Sequence, residues 1–492
     1  KSTDQQYQTF ALPPSPEKRC SMALRDVNAV IEDGALGIVE GSGSGVHVKI
    51  GISNVSATVP VLITGSMKPD KIKEKLGFSP LADAVIDAVE NGAGEIYCVP
   101  IASSADGTIS DVEHAGSGDG TISVSGKPEN SFDVMIKIME AGGLNKASFC
   151  YSINGGYSYG EELTVPLGGS YILPNTGITL VFGVAAEAVF VTDAWYRFST
   201  TSPTTSNGTI LQAVESLYNF STKFEFIHIV GASDQALWAA LAQVADEFLT
   251  VYKNPIFFLC EGRYIKKDEK LDEYTRELIG SAKGVNSYFI QVCSAYAEYT
   301  RWDGRTQLIN AAGIVSGLYG LTKESESIGK VRSYSISEVK MKRLMPEGIE
   351  DFISVLDDAK YLTFRRYIGL SGFYVNNAKM MCQEGSDYRY AEFVRVVNRL
   401  VKDVSSAAVK NIQMDINADD PEADIAQITE DLNTPVEAMV DKNIISSGNV
   451  VIDIADLNIL VDESLNVSIT FVPRGYTRQF NLNFAMVNPY RN

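Results

Sequence analysis

From Phe224 to Tyr319 the chain alternates short apolar runs with longer amphipathic stretches, and few folds accept that rhythm. The runs at 224–230, 255–260 and 287–293 are apolar almost throughout and about four to eight residues long, as buried strands are. The stretches at 234–251, 269–282 and 305–319 carry apolar residues at helical spacing. Strict alternation of this kind implies a mainly parallel sheet flanked by helices, an α/β class of fold. The same pattern occurs once earlier. A short strand at Val46, Val48 and Ile50 precedes a strand at 59–65, a helix at 81–89 and a strand at 95–100, which together predict a β-α-β unit. Both stretches are expected to share one sheet.

Between them the character changes. Turns such as Gly118-Asp119-Gly120 and Asn154-Gly155-Gly156 separate short alternating runs, among them Val134, Ile136, Ile138 and Ile178, Leu180, Phe182. That spacing predicts an inserted β-rich domain at 102–205. Ahead of the core, Pro13, Pro14 and Pro16 mark residues 1–22 as an extended arm. Beyond Val331 a mixed α/β region follows, and its clearest element is a helix from Ala391 to about Ile412. Arg395, Arg399 and Lys402 make a cationic side on that helix. In an acidic protein such a side faces either solvent or a partner that it steers by charge.

The end of the chain alternates with period two. Leu465, Val467, Ile469 and Phe471 predict a half-buried strand, Pro473-Arg474-Gly475 breaks it, and Phe480, Leu482, Phe484 and Met486 predict another. The second has nothing after it to cover it. An apolar edge strand invites pairing, so it is read as a strand that links subunits or else completes its own domain's sheet. The expected division is therefore an arm at 1–22, a core at 23–101 plus 206–330, the insertion at 102–205, a C-terminal α/β domain at 331–478 ending in antiparallel strands, and a linking strand at 479–492.

With 492 residues the chain is too long for one core, in keeping with this division. A net charge of −19 argues against partners bound through phosphates, so nucleic acid is not expected. No apolar run approaches the roughly 18 residues that span a bilayer, and nothing near Lys1 is built like a secretory signal, so no membrane insertion and synthesis in the cytoplasm are expected. The six cysteines form no Cys-x-x-Cys pair and several sit in apolar runs, as small buried hydrophobes do.

Catalytic and cofactor signals are weak wherever they occur. His47 and His228 lie in strand patterns, where a packed histidine is the plainer reading. There is no Gly-x-Ser-x-Gly elbow, and Ser327 with Lys330 matches Ser-x-x-Lys without its companion motifs. Gly126-Lys127 is followed by Pro128, unlike a P-loop, and Gly231-Ala232-Ser233 has one glycine where a dinucleotide turn has three. Asp415 to Asp419 begins like a calcium loop, but Asp420 stands at the glycine position and Ala426 at that of the bidentate glutamate. No catalytic, metal or cofactor residues are assigned, and the chain is not expected to be an enzyme.

Several stretches together resemble the contractile phage tail sheath proteins, in the sheath-like branch of phages and phage-like contractile injection systems. They are Pro60 to Gly65 with Leu76-Gly77 and Asn91 to Val99, then Leu167 to Tyr171 with Leu173 to Ile178, and finally Phe471 to Tyr476 with Asn488-Pro489-Tyr490. A Pro-Gly-Val-Tyr type opening is absent from residues 11–22. The resemblance implies a structural subunit that stacks as six-fold rings around an inner tail tube, joined by exchanged terminal strands. It implies contraction that drives the tube through a bacterial envelope. Self, the inner tube, the baseplate and the tail terminator are the implied partners, no cofactor is implied, and the implied place is a virion tail or injection particle. On this reading Phe480, Leu482, Phe484 and Met486 form the linking strand, and Arg395, Arg399 and Lys402 are candidates to face the tube. The runner-up is an α/β hydrolase or ligand-binding enzyme whose site uses only carboxylates and hydroxyls.

Overall fold

The computed structural model describes residues 44–183, 189–453 and 459–486. The expected arm at 1–22 lies outside them. Strands β1 (His47–Ile52), β2 (Val61–Thr64) and β3 (Glu95–Ile101) come before the insertion, with helices α1 (Pro69–Leu76) and α2 (Pro80–Glu90) between the last two. After it come α3 (Asn207–Glu215), β4 (Phe226–Ala232), α4 (Gln235–Thr250), β5 (Phe257–Glu261), α5 (Leu271–Lys283) and β6 (Ile290–Cys293). They form one six-stranded sheet in the order β6-β5-β4-β1-β3-β2. The α/β class and the sharing of one sheet hold, because β1 pairs in parallel with β3 on one side and β4 on the other.

One detail differs. β2 runs antiparallel to β3 at the sheet's edge, so the strand at 59–65 is not the first of a β-α-β unit. The parallel crossover runs from β1 through α2 to β3.

Strand alternation divides the packing. Val48 and Ile50 face α3, whereas Lys49 between them faces the other side and its Nζ donates to Ser316. Ser316 lies on α6 (Ala312–Leu321), which packs on α2.

The predicted helix at 305–319 is half strand. β7 (Tyr296–Thr300) and β8 (Thr306–Asn310) form a hairpin joined by β9 (Met341–Met345), and α6 begins only after β8. Alternating side chains over Thr306 to Asn310 fit the hairpin, whose turn holds Gly304 at φ 80.

Between Ile101 and Asn207 every described regular element is a strand. Two sheets, of three and five strands, close over Val134, Ile136, Phe149, Leu180 and Phe198. The chain enters and leaves this region side by side, with Ser104 N donating to Thr204 O at 2.8 Å and Thr204 N to Ala105 O at 3.0 Å.

The C-terminal region is built on α7 (Ala391–Lys410) and α8 (Glu422–Asp441), followed by β10 (Ile445–Ile452) and β11 (Val467–Pro473). Its core joins Val396, Leu400 and Val404 of α7 with Leu432, Val436 and Met439 of α8 and Ile445 and Val450 of β10.

Candidate subunit-linking site

β10 and β11 pair with each other, and among the described residues neither has a second strand partner. An isolated two-stranded sheet is marginal in water, so something must hold this one. It is α8, which lies so close that a Cβ on Gly448 would stand 2.4 Å from a Val436 methyl. With one face on the helix, the hairpin presents two edges that no described strand covers, and Val451 and Val472 are exposed on it.

The apolar residues predicted to pair sit just beyond. Phe480, Leu482, Phe484 and Met486 belong to no strand of the described chain, and they are 78%, 69%, 91% and 102% exposed. Their even spacing would place all four on one face of an extended strand. Arg478, two residues before them, is fixed to the body: its guanidinium ion-pairs with Glu392 and lies 3.6 Å from the centre of the Tyr390 ring.

Arg395, Arg399 and Lys402 are placed otherwise than expected. They point inward, and this corrects the reading of a cationic face open to a tube. Arg395 is 1% exposed; it ion-pairs with Glu225, donates from Nη1 to Thr322 Oγ1 at 2.9 Å and from Nη2 to Tyr319 O at 3.0 Å. Lys402 Nζ donates to Phe224 O at 2.5 Å, and burial pulls its pKa down to about 8. Arg399 pairs with Glu324 at 2.6 Å and Asp403 at 3.2 Å. The helix is buried on two sides, and these cations meet acceptors on the segments packed against it, Glu225, Phe224 O and Glu324.

Two polar clusters inside the α/β body escaped the sequence reading. In the first, Lys49 Nζ lies 2.7 Å from both His228 Nδ1 and Ser316 Oγ, and His228 Nε2 is 3.1 Å from Glu261 Oε1. Burial pulls the Lys49 pKa down to about 7 and pushes that of Glu261 up to about 7. It also holds His228 well below the usual histidine value, with the Lys49 charge adding to the effect. The second joins insertion to body: Asp83 accepts from Arg301 and Arg305 at 2.8 and 2.9 Å and from Asn130 at 2.8 Å. Burial alone would raise the Asp83 pKa, but the two guanidiniums reverse this and hold it well below the carboxylate range.

A cleft of about 280 Å³, bordered by Ile52, Ala232, Glu261 and Arg301, opens at the carboxyl ends of β1 and β4. Enzymes of this class place substrates there. The hydroxyl of the first cluster, Ser316, is fully buried and itself donates to Gly313 O at 2.6 Å. Among the described residues no group of three or more His, Cys, Asp or Glu could hold a metal ion, and no helix is long and apolar enough to cross a membrane.

Two family models cover the chain, the DUF2586 N-terminal domain over residues 24–379 and the DUF2586 C-terminal domain over 387–491. The chain belongs to the DUF2586 family. No curated protein matches its sequence. The DUF2586 fold is shared with solved chains of contractile particles. A chain of the sheath complex of PVC, an extracellular contractile injection system, in its contracted state has a TM-score of 0.51 at 9% identity, covering 94% of this chain and 98% of that one. A chain of the anti-feeding prophage baseplate in its contracted state has a TM-score of 0.52 at 10% identity, covering 96% and 100%. The sheath tail protein of Desulfitobacterium hafniense is also similar, with a TM-score of 0.48 at 13% identity over 91% and 100%. This DUF2586 member therefore shares its fold with the chains of the contracted PVC sheath complex and the contracted anti-feeding prophage baseplate.

Proposed function

We propose that the protein is the structural subunit of a contractile tail sheath, polymerising as stacked helical rings around an inner tube and shortening to drive that tube through a bacterial envelope. The observation that carries the reading is the juxtaposition of an exposed apolar strand sequence at 480–486 with a hairpin whose two edges are open, in a chain with the sheath fold. A strand lent by one subunit to the hairpin of another keeps its main-chain bonds while the subunits rotate about it. The flanking segments absorb the motion. Two lattices of one sequence differ by about a few kcal/mol per subunit, so most contacts exchange while the tether stays.

The division into a core at 23–101 plus 206–330, an insertion at 102–205, a C-terminal domain at 331–478 and a linking strand from 479 belongs to this proposal. So do the partners: further copies of the chain, the inner tube, the baseplate and the tail terminator. The subunit would be made in the bacterial cytoplasm, end in a virion tail or injection particle, and have a structural rather than an enzymatic role. Electron microscopy of the purified full chain tests the reading. Tubes or stacked rings are expected, and a monomer that stays dispersed at every concentration and salt would overturn it.

A further inference from the structure

Between β11 and the exposed apolar residues the chain is held down at one place. Tyr476 packs on Phe393, with ring centroids 6.1 Å apart. Arg478 then stacks on Tyr390, donates from Nη1 to Asn377 Oδ1 at 3.0 Å, and ion-pairs through Nη2 with Glu392. Glu392 is 2% exposed in the first turn of α7, and a carboxylate so buried needs a counter-charge. Arg478 supplies it from the arm. The planar fork of arginine can stack and bond at once, which a lysine ammonium cannot do. Two residues later Phe480 is largely exposed.

We propose that Arg478 is the pivot of the linking arm, a positioning residue that fixes where the donated strand leaves its own subunit. This rests on the sheath reading above. Counted from Arg478, residues 479–486 reach at most about 26–29 Å when fully extended. With so short a reach, the point of departure decides which neighbouring hairpin the strand meets. Releasing the clamp frees the chain back to Pro473, which adds five residues and roughly 17 Å of slack. The arm then searches a volume about twofold larger, and the effective concentration of strand at the correct edge falls by the same factor.

Two measurements on the full chain test this, the first on the unassembled subunit. Chymotrypsin can cut after Tyr476, Phe480 and Phe484, and mass spectrometry separates the products. The native protein is expected to be cut at Phe480 and Phe484 well before Tyr476. In Arg478→Met the three sites become comparably fast, Arg478→Lys restores little protection, and the exchange Arg478→Glu with Glu392→Arg restores most of it. Polymer growth, followed by light scattering and microscopy, should slow about twofold or more in Arg478→Met and recover in the exchange. Should Arg478→Met fold poorly by circular dichroism, Glu392→Gln, which removes the charge alone, replaces it in both assays. Unchanged protection of Tyr476, or growth of native lattices at the native rate from an unclamped arm, would overturn the pivot. A native chain that forms no polymer defeats the sheath reading, and the cleavage pattern still decides whether the clamp exists.

Discussion

Arg395 and Glu225 meet inside the molecule although 170 positions separate them in the chain. The second oxygen of Glu225 also accepts from Gly45 N at 2.8 Å, so the pair ties α7 to the approach of both β1 and β4. The C-terminal region is thereby riveted to the middle of the parallel sheet.

Removing one member should be far worse than removing both. Glu225→Gln leaves a guanidinium buried without its counter-charge and should destabilise the chain by about 3–5 kcal/mol, whereas Arg395→Met with Glu225→Leu should cost markedly less. Thermal unfolding of the singles and the double checks this. Equal losses in all three would mean that the ion pair is not the source of the effect.

A chain ending at Gln479 should keep its circular dichroism spectrum and melting temperature, because Phe480 to Met486 bury little in the subunit itself. It should no longer polymerise, having lost apolar side chains worth about 1.5–3 kcal/mol each when buried in a neighbour. Asn483→Pro should act in the same direction by deleting a ladder donor. Normal tubes from the truncated chain would refute strand exchange.

Replacing 102–205 by a short Gly/Ser linker should leave a folded body that still assembles, since the two ends of the segment are bridged at Ala105 and Thr204. Asp83 would lose Asn130 but keep Arg301 and Arg305. Microscopy of the shortened chain decides it. A body that folds yet forms no ordered polymer would make the insertion part of the lattice.

Stability should dip near neutral pH through Lys49 and Glu261. From pH 4.5 to 7 the folded chain keeps a proton on Glu261 that the unfolded chain has released, so stability falls as pH rises. From pH 7 to 10.5 the unfolded chain keeps a proton on Lys49 that the folded chain has shed, so stability rises again. The acid limb amounts to on the order of 3 kcal/mol and the alkaline limb to on the order of 5 kcal/mol. Lys49→Met with Glu261→Gln should flatten the dip, and denaturant titrations across the range would show parallel profiles if these groups were not its cause.

How legible a feature was depended on how far away its partner lay. The strands and helices from Phe226 to Cys293 were visible because each carries its pattern within its own span. Arg395 was misread because its partner Glu225 lies in a strand approach that no local window contains. Spacing alone placed Arg395, Arg399 and Lys402 on one side of α7; burial of that side as well as the Val396–Leu400 side came from two separate tertiary contacts. The β7–β8 hairpin did leave a sign, the Asp303-Gly304 turn between two alternating runs, but the helix-like Ala311 to Tyr319 drew the boundary too early. The antiparallel course of β2 left none, because direction is set by the connection through α1 and α2 rather than by the strand's residues. At the linking site the apolar alternation was plain, while the Arg478–Glu392 clamp joined residues 86 positions apart.

The register that sets Lys49 beside His228 spans 179 positions, and it orders events during synthesis. When β1, β2 and β3 leave the ribosome, one side of β1 has its neighbour and the other has none until β4 is made. At about 5–20 residues per second that wait lasts roughly 6–25 seconds. The inserted β sheets carry their own core and can mature in the interval, so the nascent chain carries one finished module beside a half-built sheet. Slowed translation across 102–225 would therefore prolong the time in which a sticky, incomplete edge meets chaperones or other nascent copies, and protein yield would be set there rather than at the polymerising end.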